Sequence, residues 1–374
     1  MASALLSADA PRMDVKAARS EAWAALAYKA LPLDTLVTLL RAFGEPTEIL
    51  HASRNALAAV VPAAAVSRLM EPLPQASITA IRAWLAGPGN DLVAWDDPDY
   101  PRALLELGHA PPVLYFVGRR ELLNRPALAI VGSRNATPQG LDNARAFARA
   151  LSDAGLTIIS GLALGIDAAA HEGALDGSGS TLAVVGTGLD RVYPARHREL
   201  AHSLAARGGL LSEFPPGTPA RASNFPRRNR LISGLARGVL VVEAALSSGS
   251  LITARYAGEQ GREVFAIPGS IHSPLARGCH KLIREGAKLV ETAQDVLAEL
   301  GLASRTATVV QTTAVDEEGP RAALLAALAA DPADLDGLAA RTGLSTQALC
   351  ANLMALELDG KVAALPGGRW QRRP

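Results

Sequence analysis

Six short apolar runs in the middle of the chain predict an α/β fold built on a doubly wound, mostly parallel sheet. They are Leu128–Val131, Leu156–Ile159, Leu182–Val185, Leu210–Phe214, Val239–Val242 and Val264–Ile267. Each is four to five residues long and is followed by a polar or glycine-rich loop and then a stretch of helical period. That alternation is the signature of βαβ units around a parallel sheet buried on both faces. Helix punctuation agrees: Thr137 is placed to cap the first helix, Pro138 suits its first position, and Gly155 suits its end.

The chain before this core reads as short helices between residues 17 and about 85. Pro32 to Leu50 puts Leu33, Leu36, Leu39, Leu40 and Phe43 on one helical face and breaks at Gly44. We assign residues 1–87 to a small helical module, like a SAM or helix-hairpin-helix domain. From Pro88 to Gly118 the chain is rich in Pro and Asp, and Trp95–Pro101 reads as a connector into the core, which is expected to span 88–301. Residues 302–320 show no clear period and read as a linker. The last segment, 321–374, has the order of a winged helix-turn-helix. Helices are expected at Arg321–Ala330, Asp334–Arg341 and Thr346–Leu358, with a turn at Gly343–Ser345. Strands Lys361–Leu365 and Arg369–Arg372 then form a wing around Pro366-Gly367-Gly368.

A chain of 374 residues is too long for one ordinary core, and 49% hydrophobic residues suffice for several. Aromatics are only 4%, so Ala, Leu and Val must do most of the packing. The formal net charge is +1, so any site for a polyanion has to be local. Cys279 and Cys350 have no zinc or disulfide spacing, which fits a reducing compartment, and no metal site is expected. Acidic and basic residues interrupt Met1–Ser20 before an apolar signal could form, and no run of 18 apolar residues follows. The expectation is a soluble, cytoplasmic protein without membrane insertion.

Charge clusters in one place. Arg221 to Arg230 hold four arginines and Phe225 without one acidic residue. Guanidinium forks pair bidentately with phosphate, and an aromatic ring offers a stacking surface for a base. The helix after this loop is expected to start at Arg227. In a doubly wound sheet ligands bind beyond the carboxyl ends of the strands. There, Gly132-Ser133-Arg134 combines close backbone approach, helix-start amides and a full charge, which suits an anion. Ser248-Gly249-Ser250, at another strand-to-helix junction, suits a phosphate nest. Glu243 beside it is either catalytic or a group that caps and pairs with a nearby arginine. Asp167 and His171, at i and i+4, lack a third ligand or nucleophile and read as orienting groups. Gly186-Thr187-Gly188 lacks the third glycine of a dinucleotide fingerprint, and no P-loop motif occurs.

Taken in order, Gly132-Ser133-Arg134, Ser160 to His171, Phe225 to Leu235, Ser248 to Ala254, Pro268-Gly269-Ser270 and Gly278 to Ala287 resemble the DNA-processing protein A (DprA/Smf) family. The resemblance is close from about Trp95 to Leu300. It implies a Rossmann-like core that binds single-stranded DNA, forms a homodimer and loads the RecA recombinase while displacing single-strand binding protein, without cofactor or catalytic residue. Carried over residue by residue, the strand-contacting groups are Arg134 and the motif Phe225, Arg227, Arg228, Asn229 and Arg230; with the turns read above, Gly132, Ser133, Ser248, Gly249 and Ser250 complete the expected site. Arg134, Arg228 and Arg230 are expected on phosphates, and Phe225 is expected to stack on a base or to shape the pocket. Two alternatives stand beside this reading. A phosphoribohydrolase-like nucleotide hydrolase would need a Pro-Gly-Gly-x-Gly-Thr loop, where this chain has Glu243 to Ser250. A winged-helix regulator would grip DNA through Thr346–Leu358, which holds no Arg or Lys.

Overall fold

The structure, a computed structural model, describes residues 15–302, 320–328, 332–365 and 367–373. Residues 303–319, nearly all of the expected linker, lie outside the described residues, as do residues 1–14.

Helices α1 (Val15–Tyr28), α2 (Leu33–Phe43), α3 (Pro46–His51), α4 (Arg54–Ala58), α5 (Ala63–Met70) and α6 (Gln75–Leu85) form the N-terminal module. Leu36 and Leu39 are the buried positions of α2, and Gly44 ends it at a positive φ of 79°. These helices enclose Trp23, Leu26, Ile49, Leu57 and Trp84.

Two strands then appear in the segment read as a connector: β1 (Asn90–Ala94) and β2 (Val113–Gly118), separated by α7 (Arg102–Leu105). The Trp95–Pro101 stretch between them is turn-like, as are residues 106–112. Because strand side chains alternate, Leu92, Ala94, Val113 and Tyr115 face the helical module while Val93, Leu114 and Phe116 enter the central core. Trp84 meets Tyr115 edge to face at 5.7 Å, which joins the module to the sheet. The two strands escaped the βαβ pattern because they are antiparallel additions without a crossover helix.

The alternation itself folds as β3 (Ala127–Val131), α8 (Pro138–Asp153), β4 (Thr157–Ser160), α9 (Ile166–Leu175), β5 (Thr181–Val184), α10 (Arg198–Arg207), β6 (Gly209–Ser212), α11 (Asn224–Leu235), β7 (Gly238–Val241), α12 (Ser250–Glu259) and β8 (Glu263–Ala266). Helix α13 (Arg277–Arg284), strand β9 (Lys288–Leu289) and α14 (Ala293–Glu299) complete it. Strand order is β1-β2-β6-β5-β4-β3-β7-β8-β9, with β3 to β9 joined in parallel and only β1–β2 and β2–β6 antiparallel. The chain winds outward from β3 through β4, β5 and β6, then returns to the other side of β3 as β7. Leu128 and Ile130 face α8 and α9, while Ala129 and Val131 face α11, so both faces are buried. Helices α8 and α9 pack through Ala144, Ala148, Ala170 and Ala174. A Cβ at Gly173 would lie 2.3 Å from the Arg145 carbonyl oxygen, so small residues set that approach. Thr137 caps α8 through the Gly140 N–H at 3.0 Å, with Pro138 at the first turn.

The C-terminal segment is a winged helix: α15 (Pro320–Leu328), β10 (Ala333–Asp334), α16 (Leu335–Thr342), α17 (Thr346–Leu358), β11 (Val362–Leu365) and β12 (Arg369–Arg372). Gly343 ends α16 in the left-handed region, and Ser345 caps α17. The sequence did not indicate β10, which pairs with β12. Of the wing arginines, Arg373 is engaged by the core: its guanidinium donates to both oxygens of Asp142 on α8, at 2.8 and 2.7 Å. Among the described residues no helix is long and apolar enough to cross a membrane.

His171 on α9 is wholly buried. The Thr181 hydroxyl donates to the Ile158 carbonyl oxygen at 2.6 Å, so the His171 Nδ1–H donates to Thr181 Oγ1 at 2.7 Å. Burial holds the ring neutral and lowers its pKa to about 3 from an ordinary 6.5. In the unfolded chain it takes a proton sooner, so its contribution is complete above pH 6.5 and is lost as pH falls toward about 3. Between pH 7 and pH 5 this group should cost about 2 kcal/mol of stability. Urea unfolding at the two pH values measures the slope, and His171→Gln should reduce it by that amount.

Candidate nucleic-acid interface

The strand order reverses between β3 and β7, so the loops leaving their carboxyl ends splay apart and open a crevice. The β3–α8 loop carries Gly132, Ser133 and Arg134, and the β7–α12 loop carries Ser248 and Gly249. They are tied at their bases, where the Ser133 N–H donates to the Glu243 carbonyl oxygen at 2.7 Å. A Cβ on Gly132 would lie 2.6 Å from the Ile166 side chain and 2.9 Å from that same oxygen, so only glycine allows this approach. Gly165, at φ 76°, brings the β4–α9 loop against Ser133, whose carbonyl oxygen accepts the Ile166 N–H at 3.2 Å. Three loops from distant parts of the chain thereby form one rim.

Behind that rim lies a cavity of about 770 Å³. Gly132, Ser133, Arg134 and Asn135 line one side, and Ser248, Gly249 and Ser250 another, with Phe225 and Asn229 from α11 between them. The Ser248 and Ser250 hydroxyls are 2.7 Å apart at the start of α12. Arg134 is exposed, and its guanidinium carbon sits over the Phe225 ring, 5.8 Å from the centroid. Phe225 packs on Gly186 from the β5–α10 loop, where a Cβ would approach the ring to 3.1 Å.

Helix α11 begins at Asn224 rather than at Arg227. Pro226 is tolerated in a first turn, and Ser223 makes no side-chain cap that would mark the boundary. The arginines therefore occupy the first two turns of a helix, where i and i+3 share a side and i+1 points elsewhere. Arg227 and Arg230 both turn to Glu213 at the end of β6, at 3.1 and 2.5 Å. Arg227 also stacks over Phe214, while Arg230 donates to the His109 carbonyl oxygen at 3.0 Å. Neither lines the cavity. Glu213, with a side chain 1% exposed, balances part of a patch that looked unopposed in sequence.

Arg228 points the other way and lines the cavity floor. It is 4% exposed, and its guanidinium donates to the Gly161 carbonyl oxygen at 2.7 Å and to that of Val184. A Cβ on Gly161 would lie 2.4 Å from this guanidinium. Asp167 lies close enough to interact with it electrostatically and accepts the Gly161 and Ala163 N–H groups at 3.1 and 3.3 Å. Burial lowers the Arg228 pKa to about 10 against the attraction of Asp167, which leaves it charged at neutral pH. Arg228 is thus a strut that joins α11 to the β4–α9 loop and to β5. Its Nη1 is committed to two carbonyl oxygens, while the side chain still borders the cavity.

Glu243 is a capping group and, among the described residues, has no arginine partner. Its carboxylate accepts the Thr137 N–H at 2.9 Å and the Thr137 hydroxyl at 2.6 Å, and burial raises its pKa. Asp167 and His171 do not act as a pair, since one holds loop amides and the other holds Thr181. Among the lining residues not expected from the sequence, one is aromatic. Tyr193, from the Gly186–Pro194 loop, is half exposed and packs on Phe225 with ring centroids 5.5 Å apart. Its only signal in the sequence was an aromatic residue in a loop after an apolar run.

Comparison with known proteins agrees with this architecture. Residues 91–301 match the model of the family described as DNA recombination-mediator protein A, and residues 311–368 match a DprA winged helix domain. Protein Smf of Escherichia coli is 43% identical over 302 residues, covering 79% of this chain and 81% of that protein. The crystal structure of DNA processing protein A from Streptococcus pneumoniae aligns with a TM-score of 0.65 at 39% identity, covering 75% of this chain and 97% of that one. A Helicobacter pylori DNA processing protein A structure, described for its single-stranded DNA binding mode, aligns with a TM-score of 0.52 at 31% identity, covering 56% of this chain and 95% of that one. With a family model spanning the whole doubly wound core and a second on the winged helix, this chain belongs to the DNA recombination-mediator protein A family.

Proposed function

We propose that this chain binds single-stranded DNA in the cavity between the β3 and β7 loops and acts, without catalysis, as a recombination mediator. The observation that carries the reading is the exposed Arg134 on a glycine–serine turn at the topological switch point, beside Phe225 and opposite the Ser248–Ser250 turn. Phosphates rest against the Arg134 charge and the amides of the two turns, and bases meet the aromatic side. In this reading Gly132, Ser133, Arg134, Phe225, Asn229, Ser248, Gly249 and Ser250 contact the strand. Arg228 acts from beneath, and Arg227 and Arg230 guide the strand from outside the cavity. The single-stranded DNA described for the Helicobacter pylori relative supports the ligand class. Loading of RecA in place of single-strand binding protein, action as a homodimer in the cytoplasm and a role in processing DNA taken up during natural transformation complete the proposal.

Binding of this kind depends on salt and little on sequence. Fluorescence anisotropy with a labelled oligo-dT and with a duplex of equal length should show preference for the single strand and a linear fall of log affinity with log salt. Equal affinity for the duplex would sink the proposal. The RecA step is tested separately, by the rate of RecA ATP hydrolysis on strands precoated with single-strand binding protein.

A further inference from the structure

We propose that Tyr193 is the residue that carries a base in this cavity, with Phe225 as its support; the inference rests on single-strand binding at this site. Phe225 is crowded. Gly186 lies against its ring, Arg134 sits over it at 5.8 Å, and Tyr193 packs on it at 5.5 Å with the planes tilted by 39°. A base has little of that ring left to cover. Tyr193 is 50% exposed at the cavity wall, and among the described residues its hydroxyl has no hydrogen-bond partner. A tyrosine kept for the fold is ordinarily buried or tied through its hydroxyl, and this one is neither.

The loop that presents it is held at several points. Gly188 N–H donates to the Thr218 carbonyl oxygen at 3.0 Å, and Asp190 accepts the Gly217 N–H at 2.8 Å. Just after the loop, His197 Nδ1 lies 3.0 Å from the Leu162 carbonyl oxygen. The ring is therefore presented in place before a ligand arrives, which spares the entropy of ordering it. Arg134 and Tyr193 flank the same Phe225 ring, so a phosphate on the first and a base on the second belong to neighbouring parts of one short strand segment. Stacking accepts every base, which suits a site without sequence preference.

The test compares labelled oligo-dT with an abasic oligonucleotide of equal length by anisotropy, using wild-type protein, Tyr193→Ala, Tyr193→Leu and Tyr193→Phe. Wild type should bind oligo-dT more tightly than the abasic strand. Tyr193→Ala and Tyr193→Leu should lose about tenfold on oligo-dT and nothing on the abasic strand, with Tyr193→Phe close to wild type. The leucine variant keeps a bulky neighbour for Phe225, so an effect it shares with alanine is loss of the ring face. Equal loss on both strands overturns the proposal in favour of a structural role, and no loss on oligo-dT overturns it outright. Wild-type protein that binds neither strand overturns this proposal together with the binding reading beneath it.

Discussion

Arg134→Ala lowers the affinity for oligo-dT by roughly 10–100-fold while the fold is unchanged. A charge-assisted hydrogen bond contributes about 1.5–3 kcal/mol, and alanine removes both that bond and the local charge. The side chain is exposed and its one ring contact is with Phe225, so its loss should move stability by no more than about 0.5 kcal/mol. One phosphate contact fewer should also flatten the salt dependence by about 0.7 in log–log slope. Anisotropy titrations at several salt concentrations read both numbers from one data set. An affinity equal to wild type would remove Arg134 from the site and leave the cavity without its exposed cation.

Arg228→Met has its large effect on stability. Deleting the guanidinium strands the buried Asp167 carboxylate and leaves the Gly161 and Val184 carbonyl oxygens without these donors. Removing a buried charge that offsets another, together with the donor to two buried carbonyl oxygens, should cost about 1–3 kcal/mol or more. A double variant, Asp167→Asn with Arg228→Met, removes both charges and should recover part of that loss, the coupling expected of two buried charges that interact through space. Urea unfolding of the three variants measures it. If Arg228 instead served chiefly as a phosphate ligand, the single variant would keep its unfolding midpoint and lose only affinity. That outcome would reassign it from strut to contact.

The two arginines differ in a way that the linear chain conceals. Arg134 was legible because its signals are local: a glycine after an apolar run, a helix start behind it, and a charge between. The roles of Arg227, Arg228 and Arg230 were not, because they depend on where α11 begins and on what lies across the sheet end. A start three residues earlier than expected rotates each side chain to a set direction, and only then does Glu213 meet two of them. Tyr193 was obscure for the same reason, since its partner Phe225 comes from another crossover. The strands β1 and β2 were missed through a different cause: they add to the sheet antiparallel, outside the repeating unit that made the others visible.

What the sequence determined by itself was therefore periodic and short-range: the six central strands, the Thr137 cap with Pro138, the turn at Gly343–Ser345, and the helix order of the wing. Side-chain alternation, helical repeat and capping all act over a few residues, so they can be read along the chain. Tertiary structure alone decided which charges stay free. The reversal of strand order between β3 and β7 sets loops that are more than a hundred residues apart side by side, and Ser133 and Glu243 join there through a backbone hydrogen bond. Charge and stacking act through space, so whether an arginine faces a phosphate, a carboxylate or two carbonyl oxygens is settled only when the sheet has brought those groups together.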